Sequence, residues 1–187
     1  MRLKCAEVAA LGKATHIWFE WLFGEEMKRV AIFVDVQNIY YTTRQAFDAH
    51  FDYNVFWRQV TEGREVVKAT AFAIGRDDEK QKQFQNILRG IGFEVKLKPF
   101  ISRADGSSKG DWDVGITLDV MDYAATTDVV VLASGDGDFD LLAQRLCDRH
   151  KVEVEVYGVP QLTAESLKRV ATRFMPIDES LLLRRSS

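Results

Sequence analysis

Imidazole and thiol are nearly missing from this chain, which has three histidines and two cysteines among its 187 residues. His16, His50 and His150 make no H-x-H or H-E-x-x-H spacing, so a histidine-built metal centre is not indicated. Cys5 and Cys147 stand far apart and neither belongs to a C-x-x-C pair. That excludes a disulfide framework and a zinc knuckle, and makes reduced thiols and a cytoplasmic location the expectation. Long apolar runs are lacking too. The aromatic-rich stretch AALGKATHIWFEWLFGEEM (9–27) is broken by Lys13, His16 and Glu20, short of the ~18 uninterrupted residues that a span requires, and no small-residue cleavage pattern follows it. No membrane partner is expected. Positive charge is not in surplus either: the formal net charge is −3, so any contact with a polyanion must come from local patches.

With 47% hydrophobic residues, the chain has enough apolar material for one domain with a core of its own. The reading places that domain at 28–178. Residues 1–27 form an N-terminal extension and 179–187 a C-terminal tail. The extension is either sequence upstream of the natural start or a short added helix whose Trp18, Phe19, Trp21, Leu22 and Phe23 pack on the core or on a partner.

Buried-strand patterns recur at Val30–Val34, 66–74, 93–98, 128–134 and 152–159, with RFMPI (173–177) as an added edge strand, where Pro176 is tolerated. Helical patterns fill the intervals at 39–48, 54–61, 78–90, 111–125, 138–149 and 163–171. In the third of these, Phe84, Ile87 and Leu88 share a face. Helices between strands force parallel crossovers, so the fold expected is α/β: a three-layer α/β/α sandwich on a mainly parallel sheet of about five strands. RADGSSKG (103–110) reads as a flexible loop.

Carboxylates gather where strands end. Asp35 follows the first strand, and Asp136 and Asp138 follow VVVLA in the run SGDGD. If those two strands are parallel neighbours, residues about a hundred positions apart converge on the sheet's carboxyl edge. Such a run is either a solvated acidic loop or part of a cation site. A third contribution comes from KGDWDVGITLD (109–119), where Gly110 and Asp111 read as a helix start. Asp113 and Asp119 lie about 120° apart on an ideal helix, so both cannot face one ion squarely. Asp113 is the stronger ligand candidate, and Asp111, Asp113 and Asp122 could instead be a solvated helix face. Asn38 suits either a site-orienting amide or a helix N-cap, and Ser134 either holds a carboxylate or ends its strand. Arg76, Lys96, Lys98, Arg103 and Lys109 are candidates for a basic rim. Tyr40, Tyr41 and Trp112 stand where bases could stack, or where ordinary core residues would.

FVDVQN, KGDWDVGITLD and LASGDGDF occur in this order, each at a strand end or helix start. Together they resemble the NYN domains of the PIN-like nuclease superfamily, in particular the bacterial LabA-like group, over residues 28–178. The resemblance implies a metal-dependent ribonuclease hydrolysing phosphodiester bonds of RNA, single-stranded or structured. Asp35, Asp113, Asp136 and Asp138 would be catalytic metal carboxylates, with Asp119 a further acidic member. Asn38 and Ser134 would orient the site, and Lys109 would meet substrate phosphate; Arg103 and Arg76, from the basic rim, are the further substrate-binding candidates. One extra residue after Gly110 departs from the family pattern and leaves Asp111 as a substitute for Asp113. Carboxylates without histidine or thiolate favour Mg²⁺ or Mn²⁺. A homo-oligomer is compatible with the chain. Two other readings remain: a non-catalytic regulatory or scaffold module that keeps the acidic pocket, and a haloacid-dehalogenase-type phosphatase. The phosphatase needs a second Asp two residues after the first, and Val36 and Gln37 follow Asp35.

Overall fold

The computed structural model describes residues 27–75, 78–99, 101–102, 108–109 and 112–183. Strand β1 (Lys28–Asp35) is buried from Val30 onward on both faces, the pattern of a strand covered on two sides. Val30, Ile32 and Val34 enter one core layer, and Ala31 and Phe33 the other, because side chains alternate along a strand. Helices α1 (Val36–Phe47), α2 (Tyr53–Thr61) and α3 (Glu79–Ile91) cover the first face through Val36, Ile39, Phe56, Val60 and Leu88. The second face is covered by α4 (Asp113–Tyr123), α5 (Asp140–Arg145) and α6 (Glu165–Val170) through Ile116, Val120, Leu142 and Leu167.

The remaining strands are β2 (Arg64–Gly75), β3 (Glu94–Pro99), the short β4 (Ile101–Ser102) and β5 (Ser108–Lys109), then β6 (Val129–Ala133), β7 (Glu153–Gly158) and β8 (Arg173–Pro176). β4 and β5 pair antiparallel by themselves, and the others join β1 in a parallel sheet ordered β3-β2-β1-β6-β7-β8. This is the expected α/β/α sandwich, with the edge strand β8 bringing the sheet to six strands. Pro176 sits on that edge, where its missing N–H breaks no interior ladder. The chain lays down β1, β2 and β3 outward and then returns to β6 on the other side of β1. The strand order therefore reverses between β1 and β6, which opens a crevice at their carboxyl ends.

Not every strand carboxylate belongs to that crevice. Glu155 on β7 is buried and accepts two hydrogen bonds from Arg64, each 2.9 Å long, while Arg173 approaches it at 2.6 Å. This acid ties β2, β7 and β8 together. The segment read as a tail folds back as far as it is described: Leu181 and Leu182 are buried, and Leu182 bridges to Phe51. The expectations for residues 1–26, Arg76, Arg103, Asp111 and the loop core 103–107 lie outside the described residues. Among the described residues, no helix is long and apolar enough to cross a membrane.

Candidate active site

The carboxyl edge takes its shape from the β1–β6 pairing, whose last matched residues are Val34 and Ala133. Asp35 and Ser134 are thereby brought side by side from opposite halves of the sequence. Asp35 continues the alternation of Ala31 and Phe33 toward the face that α4 covers. It also starts α1, since its Oδ1 accepts the backbone N–H of Asn38 at 3.0 Å. This cap lets the helix begin at Val36, three residues before the apolar rhythm alone predicts. Asn38 in turn accepts the backbone N–H of Gly135 through its Oδ1 at 2.9 Å. The cap of α1 is therefore Asp35 and not Asn38, whose amide instead clips α1 to the SGDGD loop.

That loop is held from several sides. The Ser134 hydroxyl, fully buried, accepts the N–H of Asp136 at 3.2 Å. Asp136 Oδ1 accepts the N–H of Asp138 at 3.0 Å and so caps a 3₁₀ turn over Gly137–Phe139. The loop after β7 closes from below: Ala164 N–H donates to the Gly135 carbonyl at 3.0 Å. A Cβ on Gly135 would come within 2.8 Å of the Leu162 carbonyl, and one on Gly158 within 2.3 Å of Thr163 Oγ1. Glycine is required at both positions by close approach. Thr163 is a supporting residue that the sequence reading missed. Its place just past the carboxyl end of β7 was the available signal.

Asp113, in the first turn of α4, completes the arrangement. One carboxylate oxygen each from Asp113, Asp136 and Asp138 lies within 4.8 Å of the other two. Asp113 and Asp136 are half-buried and Asp138 is exposed, so the cluster opens to solvent on one side. Asp35 stands behind it. Burial pushes the Asp35 carboxyl up to about 6; the Asn38 N–H opposes this, and the negative charges of Asp113 and Asp136 add to it. The Tyr53 hydroxyl, which the sequence reading did not single out, is raised mainly by burial and further by the Asp35 charge.

Asp119 is not brought to this cluster. It is buried, its Oδ1 receives Lys96 Nζ at 2.7 Å, and its Oδ2 has no hydrogen-bond partner among the described residues. The helix geometry accounts for the separation, since Asp119 projects toward β3 while Asp113 projects toward β6. Lys96, expected on a basic rim, is engaged in this pair. Lys98 lies over the Trp112 ring at 5.4 Å. Trp112 itself donates Nε1–H to the Ala73 carbonyl at 2.9 Å and packs on Phe72 at 5.2 Å between ring centroids. That is a packing role, not a free stacking surface. The backbone of Lys109 pairs with Ile101 in the small ribbon.

Chemically, the edge offers three converging carboxylates and a fourth whose proton affinity burial and its acidic neighbours raise to about 6. An all-oxygen donor set of this kind fits a hard divalent cation and is a poor match for zinc or copper.

The comparisons agree with this geometry. The NYN domain family model matches residues 29–178. A curated relative, low amplitude and bright protein LabA of Synechococcus elongatus, is 26% identical over 160 residues, covering 81% of this chain and 84% of its own. A crystal structure of a protein of unknown function from Vibrio parahaemolyticus is 54% identical, with a TM-score of 0.82, and is covered over 99% of its length by 86% of this chain. The order of the three motifs, the sheet topology and the acidic crevice thus have one explanation: the chain belongs to the NYN domain family, a nuclease-like family of the PIN-like superfamily.

Proposed function

We propose that this protein is a metal-dependent ribonuclease that hydrolyses phosphodiester bonds of RNA at the carboxyl edge of β1 and β6. The observation that carries this reading is the convergence of Asp113, Asp136 and Asp138 within 4.8 Å at the point where the strand order reverses. These three residues would hold Mg²⁺ or Mn²⁺, with Asp35 behind them as a further carboxylate. Bound there, the ion would supply Lewis acidity to a phosphodiester and favour ionisation of an attacking water. The chain's own residues do the rest. Asn38 and Ser134 hold the SGDGD loop so that its two aspartates point the same way, and Asp35 is placed to lose its proton when positive charge enters. The motif position assigns phosphate contact to Lys109, and the basic rim read from the sequence adds Arg103 and Arg76. The substrate is taken to be RNA on the strength of the family, and the compartment to be the cytoplasm on the strength of the reduced thiols.

The test is a time course on end-labelled RNA in Mn²⁺, in Mg²⁺ and in EDTA, with DNA of the same sequence alongside. The expected result is cleavage of RNA with either ion, none in EDTA, and much slower cleavage of DNA. RNA left intact with both ions, or cut equally well in EDTA, would overturn the proposal.

A further inference from the structure

Tyr40 and Tyr41 are 47% and 56% exposed, whereas every other phenylalanine, tyrosine and tryptophan among the described residues is buried or half-buried. Their rings meet edge to face at 5.4 Å, and the exposed His50 imidazole lies tilted beside Tyr40 at 6.0 Å. The cluster is not remote from the acidic site. Tyr41 follows Asn38 by three residues, which places it one turn further along the same side of α1. On that side the Asn38 amide receives the Gly135 N–H of the SGDGD loop. Within α1 (VQNIYYTTRQAF) no carboxylate stands to repel a polyanion, and its Arg44 is paired with Asp48 at 2.8 Å just past the helix.

We propose that Tyr40 and Tyr41 form a stacking platform for the bases of a single-stranded RNA whose phosphate lies at the Asp113, Asp136 and Asp138 cluster; this rests on the ribonuclease reading above. Stacking on a ring face tolerates any base, because every base has a π-face, but it requires that the bases be unpaired. The site is therefore selective for single strands over duplexes, and it reads no sequence through these residues.

The test is fluorescence anisotropy in EDTA, where binding is measured without cleavage, on a short single-stranded oligoribonucleotide, its blunt duplex and an abasic strand of equal length. The natural protein should prefer the single strand to both. The Tyr40→Leu/Tyr41→Leu variant should weaken binding of the single strand by about fivefold to a hundredfold per base unstacked, and leave the abasic strand unchanged. Tyr40→Phe/Tyr41→Phe should retain the affinity, since the ring faces remain. Three results would overturn the platform: equal affinity of the Leu variant and the natural protein for the single strand, an equal loss on the abasic strand, or a shift in light-scattering mass that shows the tyrosines to be a contact between copies. The two proposals fail separately. Base-dependent binding without metal-dependent cleavage would sink only the ribonuclease, and cleavage with unchanged binding in the Leu variant would sink only the platform.

Discussion

Asp136→Asn is expected to slow RNA cleavage more than about a hundredfold, since even residues that only support metal ligands cost up to that much when replaced. The substitution separates charge from structure. Asp136 Oδ1 caps the 3₁₀ turn by accepting the Asp138 N–H, and an asparagine carbonyl can do the same, Asn being as good a cap as Asp. The loop should keep its shape and lose one negative donor. RNA affinity measured in EDTA should hold or rise slightly, because a charge that repels phosphate has gone. Lys109→Ala serves as the contrast: binding should weaken, and the slope of log affinity against log salt should flatten by about one phosphate contact. Single-turnover cleavage and anisotropy on the two variants check this. Cleavage retained in Asp136→Asn would contradict the assignment of the cluster.

Asp35→Asn should make the metal-free protein more stable at pH 7.5. In the folded chain the Asp35 carboxyl is raised from 3.8 to about 6, chiefly by burial. A raised folded value means that the native state holds its proton more tightly than the unfolded chain does. The stability this proton brings is complete below about 3.8 and is lost as the pH climbs through about 6. A tenfold difference in proton affinity between the folded and unfolded chains corresponds to about 1.4 kcal/mol, so holding the ionised carboxylate in its buried place costs on the order of 3 kcal/mol. Asparagine at this position is neutral at every pH and still offers an oxygen to the Asn38 N–H. At about 2–4 °C per kcal/mol for a chain of this size, the variant should melt roughly 6–12 °C above the natural protein in EDTA at pH 7.5. The gap should close as the pH falls toward 4, and Mn²⁺ should narrow it at neutral pH by neutralising the carboxylates of the natural protein. Thermal melts by circular dichroism across pH check this. A variant that melts lower in EDTA at pH 7.5, or a gap that ignores pH, would contradict it.

Much of this site could be read without coordinates because its parts are local. A buried strand followed at once by a carboxylate marks the sheet's carboxyl edge, and two such strands, β1 and β6, turned out to be parallel neighbours. What escaped the sequence depends on contacts between distant segments. Asp119 lies among Ile116, Leu118 and Val120 in sequence, yet Leu118 is 62% exposed and the aspartate is the buried one. Its burial follows the spacing of three from Ile116, but its partner, Lys96 on β3, cannot be read from α4. On α3, Ile87 was expected to share the inward face with Phe84 and Leu88, but it is 55% exposed while Gln85 is buried. The helix is rotated so that Gln85 and Leu88 turn to the core. Thr163 acts through Gly135 and Gly158, and Leu181 and Leu182 through α2 and Phe51. Each of these pairings exists only once the chain has closed on itself.

The most direct measurement is a calorimetric titration of Mn²⁺ into the natural protein and into Asp113→Asn, at pH 7.5 and again at pH 5. Saturable heat is expected from the natural protein at pH 7.5, weaker binding at pH 5 as Asp35 takes up its proton, and no saturable heat from the variant. Identical isotherms for the two proteins, or binding that does not weaken at pH 5, would show that the carboxylates at the end of β1 and β6 are not the seat of the ion.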